Sequence, residues 1–145
     1  MVVINPFWLS GFVDGRGSFY IGIDADPVFE LGFQVLPEFR IICCDEEPAL
    51  LYSIRTYFRH GVVFTNNANC TIEYRVREVG ALYSAVIPFF ERYPLYTRKK
   101  FDFYCFRDVI RMMERKEHLT LEGLEQIKKI KSKMNKNKDE DIVRT

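Results

Sequence analysis

Lysine and arginine are concentrated in one third of the chain, and the chemistry they offer is the binding of anions. Residues 92–138 carry a net charge of +8, residues 1–91 carry −5 and residues 139–145 carry −2, so the total is only +1. A basic third next to an acidic body indicates a polyanion as the partner. The alternative is a helix whose charged face contacts only solvent, and composition leaves both open.

Cysteine and histidine do not form a metal-ligand pattern. Two of the cysteines are adjacent, none forms a C-x-x-C pair, and the only histidines are His60 and His118. Adjacent cysteines rarely bind one metal ion. We therefore predict reduced, mostly buried thiols at all four positions, which are Cys43, Cys44, Cys70 and Cys105.

The length of 145 residues and the apolar content of 48% fit one globular domain with a sizeable core. We expect this domain to span residues 1–135 and the polar residues 136–145 to form a C-terminal tail that frays. No apolar run approaches the length that crosses a bilayer, and the N-terminus lacks the basic region of a signal peptide. These features predict an intracellular protein with no membrane partner.

The elements that position any site begin with a short helix. Asn5 is suited to the N-cap, and Pro6 follows at the first helical position, where its missing N–H costs nothing. Gly11 and Gly15 lie four residues apart and therefore share one helical face. Each glycine costs a helix about 1 kcal/mol, so the pair indicates a place where another backbone approaches closely.

Alternating apolar and polar residues predict four strands, and helical periodicity predicts the remaining elements. The strands are expected at 18–26, 33–43, 62–65 and 71–77, and the later helices at 47–59, 78–90, 98–117 and 120–134. Pro37 predicts a kink or bulge in the second strand. The order indicates an α+β fold in which helices cover one face of an antiparallel sheet. The other face is uncovered and is a candidate binding surface.

Aromatic residues are dense in the helix predicted at 98–117. A platform on which bases stack is one interpretation. Core packing is favoured, because the aromatic residues lie beside Cys105 and Val109 on the same helix. The residues concerned are Phe101, Phe103, Tyr104 and Phe106.

Five segments of the sequence resemble the single-motif LAGLIDADG homing endonucleases in order and spacing. They are LSGFVDGRGS at 9–18, the patterns Pro37-x-Phe39-Arg-Ile41 and Leu50-Leu51-x-x-Ile54-x-x-Tyr57-Phe58, the block IPFFERYPLYTRKKFDFYCF and the block EHLTLEGLEQIKKIKSKMN. The likeness covers about residues 5–135. It implies a LAGLIDADG fold, with an antiparallel four-stranded saddle sheet backed by helices.

The resemblance also implies partners and roles. In this family the motif helix packs against a second copy, so Gly11 and Gly15 would form the helix–helix interface of a homodimer. The uncovered sheets would lie over a nucleic acid and contact its bases and phosphates. Lys99 matches a lysine near the scissile phosphate. The candidate nucleic-acid-binding residues are Arg40, Arg75, Arg77, Arg98 and Lys100.

The sequence departs from the family at the residue that binds metal. Asp14 matches the first acid of the motif, which is usually structural, but Arg16 occupies the position of the metal-binding acid. A guanidinium offers no lone pair to a metal ion. Among the candidate catalytic residues Asp14, Arg16 and Lys99 we therefore expect no metal and no other cofactor. Mg²⁺ is expected only in a form able to cleave.

Two acids on the strand at 18–26 also oppose phosphate binding, namely Asp24 and Asp26. The favoured hypothesis is a protein of this family that has lost metal-dependent cleavage and acts as a nucleic-acid-binding scaffold. Structured RNA, duplex DNA or a ribonucleoprotein would be its partner.

One alternative is a homodimeric homing endonuclease that makes double-strand DNA breaks, with Arg16 an inactivating change. Another is a protein that binds only other proteins. The family, and a composition rich in Phe, Tyr, Ile, Lys and Asn, predict an organelle, the mitochondrion or the chloroplast.

Overall fold

The computed structural model describes residues 2–44, 46 and 48–135, and its helices and strands follow the predicted order. The helices are α1 (Pro6–Arg16), α2 (Pro48–Phe58), α3 (Val79–Ala81), α4 (Ile87–Arg92), α5 (Lys99–Glu114) and α6 (Leu121–Lys133). The strands are β1 (Gly17–Ala25), β2 (Phe33–Cys44), β3 (Val62–Asn66) and β4 (Thr71–Val76). A π-helical turn, Leu82–Val86, joins α3 to α4, so the helix predicted at 78–90 exists in three parts. The tail predicted at 136–145 lies outside the described residues.

The four strands form one antiparallel sheet in the order β1-β2-β4-β3. Helices cover one face, so the predicted α+β architecture is confirmed. The side chains of the opposite face include Tyr20, Glu38, Arg40 and Arg75, and we call this surface the open face.

The predicted start of α1 is confirmed. The Asn5 side chain accepts hydrogen bonds from the backbone N–H of Phe7 at 2.9 Å and of Trp8 at 3.2 Å. These bonds satisfy two of the donors that the first turn of a helix leaves unpaired.

The kink or bulge predicted at Pro37 does not interrupt the pairing of the strand. Strands β1 and β2 pair without interruption from Gly17 opposite Ile41 to Ala25 opposite Phe33. The physical reason is that β4 pairs with β2 only from Phe39 onward. At Pro37 the strand therefore has a neighbour on one side only, and the missing N–H breaks no ladder on the other side.

The core lies between the inner face of the sheet and the helices, and it is rich in phenylalanine. Phe19 of β1 packs on Phe39, Phe90, Phe103 and Phe106 with ring centroids 5.2–5.6 Å apart. Core packing is confirmed for the two residues of α5 in this group. It is wrong for Phe101 and Tyr104, which are 51% and 39% exposed.

One further expectation needs correction. Cys105 is buried, but Cys44 and Cys70 are exposed, so the thiols are not mostly buried. Cys44 ends β2, and Cys70 lies in the β3–β4 turn with φ of +53°. Within the part of the chain that the structure describes, every helix is too short or too polar to cross a membrane.

Candidate nucleic-acid interface

Asp14, near the end of α1, holds a distant loop in place. Its carboxylate accepts hydrogen bonds from the backbone N–H of Tyr96 at 2.7 Å, from the N–H of Thr97 at 3.3 Å and from the Thr97 hydroxyl at 2.6 Å. One turn earlier, the Ser10 hydroxyl donates to the carbonyl of Tyr93 at 2.8 Å. The carboxylate of Asp14 is therefore engaged within the chain, in agreement with a structural role.

Lys99, at the start of α5, contacts the same end of α1. Its ammonium group donates to the carbonyl oxygens of Val13 at 3.1 Å and Asp14 at 2.9 Å. The last carbonyls of a helix lack partners inside the helix and carry partial negative charge, so a cation stabilises them. We call residues 13–17 together with Thr97 and Lys99 the motif end.

Arg16 is exposed in the last turn of α1. Gly17, directly after it, begins β1 without a connecting loop. A Cβ at Gly17 would lie 2.6 Å from Cγ1 of Val13, so only glycine fits this junction. The backbone on both sides of Arg16 is therefore fixed.

The motif end does not fit a divalent metal. The position at which the family carries a ligand holds a guanidinium, and the carboxylate of Asp14 already accepts three hydrogen bonds. Among residues 2–44, 46 and 48–135, no group of three or more His, Cys, Asp or Glu side chains could hold a metal ion. The set of donors at the motif end is thus unsuited to Mg²⁺.

Three of the predicted nucleic-acid-binding residues come together on the open face. Arg40, Arg75 and Arg77 surround Glu38, whose side chain is 7% exposed. Atom Oε2 of Glu38 lies 2.7 Å from Nη2 of Arg40, and Oε1 lies 2.9 Å from Nε of Arg77 and 3.7 Å from Nε of Arg75. We call these four residues the arginine cluster. Its formal charge is +2.

The other predicted basic residues lie elsewhere. Arg98 is exposed and precedes the first turn of α5. Lys100 lies in the helical layer, where its ammonium group is 5.9 Å from the ring centroid of Tyr104. It lines a concavity formed by α4, α5 and the loop between them, away from the arginine cluster.

The two acids predicted to oppose phosphate binding differ in position. Asp24 is exposed on β1 and borders the same concavity of the open face as Arg40 and Arg77. Asp26 lies beyond the end of β1, where its carboxylate accepts a hydrogen bond from the N–H of Val28 at 3.0 Å. The strand was thus predicted to end one residue too late, because Asp26 stabilises the turn that follows it.

Gly11 and Gly15 form an open stripe on α1. Both are exposed, and within the part of the chain that the structure describes no atom outside the helix's own backbone comes within 4 Å of a Cβ built on either glycine. Trp8 and Phe12 stack beside them with ring centroids 4.9 Å apart, and Trp8 is 46% exposed. This face of α1 is apolar and flat.

Sequence reasoning missed two residues of the open face. Glu38 was recognised as outward-facing but not as part of a site, although its alternation with Arg40 was a usable signal. Lys131 of α6 brings one charge of the basic third to the sheet edge, with its ammonium 5.5 Å from the ring centroid of Tyr20. The lysine-rich periodicity of α6 indicated a charged face but not its direction.

Comparisons with known proteins agree with this fold. The family model described as LAGLIDADG endonuclease matches residues 9–110. The chain is 35% identical over 133 residues to a protein of Neurospora crassa named probable intron-encoded endonuclease 2, with 91% of this chain and 29% of that protein covered. The chain thus spans less than a third of that relative's length.

Solved structures give the same result. The crystal structure of the homing endonuclease I-TnaI superposes with a TM-score of 0.88 at 43% identity, covering 99% of this chain and 96% of that one. I-SmaMI bound to uncleaved DNA in the presence of calcium ions gives a TM-score of 0.89 at 33% identity, covering 92% of this chain and 46% of that one. The chain belongs to the LAGLIDADG endonuclease family, and it is a protein of the homing-endonuclease type.

Proposed function

We propose that this chain binds duplex DNA through its open face and does not cleave it. The observation that carries the proposal is the pairing of two features. Three arginines are held together on an uncovered sheet, while Arg16 stands where a metal-binding acid is required. The three arginines supply groups that can recognise DNA, and Arg16 removes the metal ligand that cleavage would need.

Binding is supported by the charge and position of the arginine cluster. Guanidinium groups form bidentate hydrogen bonds to guanine and to phosphate. A two-stranded antiparallel ribbon fits the major groove of B-form DNA, and β2 and β4 form such a ribbon inside the sheet. Lys131 adds a cation at the sheet edge.

A second copy would complete the DNA-binding surface. I-SmaMI carries about twice the length of this chain, so one copy here corresponds to one half of that protein. The flat face of α1 around Gly11 and Gly15 is suited to the same face of a second copy, which makes an isologous homodimer. We place the two-fold axis of this dimer at α1.

Loss of cleavage follows from the same dimer. Two copies of Arg16 brought to about 5 Å would repel each other by roughly 3 kcal/mol at an effective dielectric constant of 20. A dication between them would be repelled by both. The remaining acid, Asp14, is engaged by the loop at Tyr96 and Thr97.

Two further expectations extend from the family and are not needed for this function. The Neurospora crassa relative is named as intron-encoded, and we propose that this chain acts in an organelle. Binding to structured RNA or to a ribonucleoprotein remains a prediction, and we include RNA as a competitor in the test.

The test begins with the protein as it is. We expect a fluorescent duplex library to bind with an affinity that falls steeply as salt rises, and Mg²⁺ to produce no cut in the bound duplexes. Cleavage by the unaltered chain would overturn the loss of activity. No affinity for duplex would overturn the binding function, and preferential competition by structured RNA would replace DNA as the partner.

A pair of variants tests the role of Arg16. Both Arg16→Glu and Arg16→Gln remove the positive charge, but only glutamate supplies a carboxylate for a metal ion. We expect Mg²⁺ to raise the melting temperature of the Arg16→Glu protein bound to duplex and to leave that of Arg16→Gln unchanged. An equal response of the two variants would show that position 16 does not control metal binding.

A further inference from the structure

Glu38 is a buried carboxylate on the open face that contacts three arginines, whereas two other acids of this face, Asp24 and Glu73, are not part of the cluster. Glu38 is 5% exposed, whereas the side chains of Arg40, Arg75 and Arg77 are 34%, 27% and 60% exposed. An acid on a surface that meets DNA weakens binding to phosphates. Because Glu38 lies at the centre of the arginine cluster, we expect a role that offsets this unfavourable charge.

One role is evident from the strand register. Arg40 and Arg75 lie directly opposite each other in the β2–β4 ladder, and like charges in that position are destabilising. Arg77 directly follows the end of β4 and donates from Nε to Oε1 of Glu38, the oxygen that Arg40 does not contact. A carboxylate between the three guanidinium groups relieves their repulsion.

The geometry of the bonds indicates a more specific role. Oε2 of Glu38 accepts a hydrogen bond from Nε of Arg40 at 3.0 Å and lies 2.7 Å from Nη2 of the same guanidinium, so it contacts the side edge of that group. It accepts from Nε of Arg77 at 2.9 Å. Nη1 of Arg40 and both terminal nitrogens of Arg77 take no part in these bonds. Those terminal N–H groups are the ones that form a bidentate pair with guanine.

The third arginine of the cluster has a further contact, and the other two border a concavity. Arg75 lies over the ring of Phe64 with its guanidinium carbon 4.6 Å from the centroid. Arg40 and Arg77 border a concavity of about 340 Å³ on the open face, whose floor includes Gly22 and Leu36. Gly22 leaves space in this concavity because it has no side chain, and a Cβ at this position would lie 3.2 Å from the Tyr20 ring.

We propose that Glu38 is a positioning residue that fixes Arg40 and Arg77 to recognise guanine in the major groove, and so determines sequence preference rather than strength of binding. This inference rests on the proposed binding of duplex DNA by the open face. Arginine loses much rotamer freedom when it binds, and a side chain already held by Glu38 loses less. The gain is realised only where a guanine meets the terminal nitrogens.

The proposal predicts opposite changes in two quantities. Replacing Glu38 by glutamine raises the charge of the cluster from +2 to +3, so binding to unselected duplex strengthens and depends more steeply on salt. At the same time the arginines lose their fixed arrangement, so discrimination between bases falls. A residue that served folding alone would lower both quantities together.

The experiment compares Glu38→Gln with a matched control, Glu91→Gln. Glu91 also pairs with two arginines, lying 2.9 Å from Arg111 and 3.7 Å from Arg107, but it belongs to the helical layer. Each protein is used to select duplexes from a library with a randomised centre. Its affinity is then measured for the wild-type selected duplex and for unselected duplex at two salt concentrations.

We expect the wild type and Glu91→Gln to select the same guanine-containing positions. For Glu38→Gln we expect preference at those positions to fall about tenfold or more, with unselected duplex bound as tightly as before or more tightly. Unchanged preference in Glu38→Gln would overturn the proposal, and so would equal loss of affinity for all duplexes. If the wild type binds no duplex, the proposed binding of DNA is wrong, and this outcome is distinct from an unchanged base preference in Glu38→Gln.

A second variant keeps the test valid if Glu38→Gln does not fold. Arg77→Lys retains the positive charge, but it lacks both the Nε–H that bonds to Glu38 and the guanidinium fork. We expect one guanine position to lose its preference while the salt dependence stays unchanged. Retention of all preferred positions in this variant would contradict the assignment of Arg77 to base recognition.

Discussion

The motif end and the arginine cluster both join a carboxylate to basic groups, and they use it in opposite ways. At the motif end, Asp14 binds backbone and hydroxyl donors, and Lys99 binds carbonyls, so both charges are used to hold the loop and α5 on α1. In the cluster, one Glu38 faces three arginines, and positive charge remains on the surface. The first region thus supports the fold, and the second is the surface that we propose for the ligand.

The largest effect should come from removing the positive charge of the cluster. The double variant Arg40→Ala/Arg77→Ala loses two guanidinium groups that we assign to guanine, and each bidentate pair contributes about 1–3 kcal/mol. We expect affinity for the selected duplex to fall about 100-fold or more, measured by fluorescence anisotropy at constant salt. Arg111→Ala/Arg115→Ala removes the same charge from α5, where both residues pair with acids. Equal losses in the two double variants would show that net charge alone controls binding.

Substitutions at the motif end should change the free energy of unfolding and not the affinity for DNA. Asp14→Ala removes the acceptor of three hydrogen bonds to the loop at Tyr96 and Thr97, so we expect the free energy of unfolding to fall by about 2 kcal/mol in urea titrations. Asp24→Ala changes an exposed acid on the open face and should alter stability by less than about 0.5 kcal/mol. A larger effect at Asp24 than at Asp14 would reverse the division of roles.

A substitution in the glycine stripe of α1 should change the stability of the monomer and the stability of the dimer in opposite directions. Gly11→Ala should stabilise the monomer by about 1 kcal/mol, since the new methyl group enters open space and alanine favours the helix. The same methyl group should weaken the proposed dimer by roughly 1 kcal/mol or more, measured by sedimentation.

Gly17→Ala is the matched control for the stripe. Its Cβ would lie 2.6 Å from Val13, so this variant should destabilise the monomer. Unchanged self-association of Gly11→Ala would exclude this face of α1 as the interface.

The smallest effect concerns the reactivity of two thiols. Cys44 is exposed at the end of β2 and has the same strand parity as Glu38 and Arg40, so bound duplex should slow its reaction with a thiol reagent. Cys105 is buried, and burial raises the pKa of its thiol, with Asp102 and Asp108 raising it further. Cys105 therefore stays protonated and should react only after unfolding, whether duplex is present or not. Equal protection of both thiols by duplex would contradict the location of the DNA.

Most of the fold could be predicted because its signals are local. Asn5 and Pro6 mark the start of α1 within a few residues, and alternation along β1 and β4 gives the face of each side chain directly. The interruption predicted at Pro37 does not occur, because the effect of a proline depends on whether β2 has a second neighbouring strand at that point. That fact belongs to the pairing of β2 with β4 and not to the strand itself.

The site could be predicted only in part, because its contacts join distant parts of the chain. The bonds of Asp14 and Lys99 span 82 to 86 residues, so their partners were not readable from spacing. The arginines were recognised as outward-facing, but their meeting at Glu38 requires the register of β2 with β4 and a residue 39 positions away. Lys100 faces the helical layer for a related reason, since its direction depends on how α5 packs against α4.

The direct junction of α1 and β1 has a mechanical consequence. Arg16 ends the helix and Gly17 begins the strand, with no intervening residue to act as a hinge. We therefore expect the helix that would meet a second copy and the sheet that would meet DNA to move together. The crossing angle between two such helices would set the curvature of the combined sheets, so changes in the packing of α1 should alter which bend of the DNA is accepted, without altering any arginine.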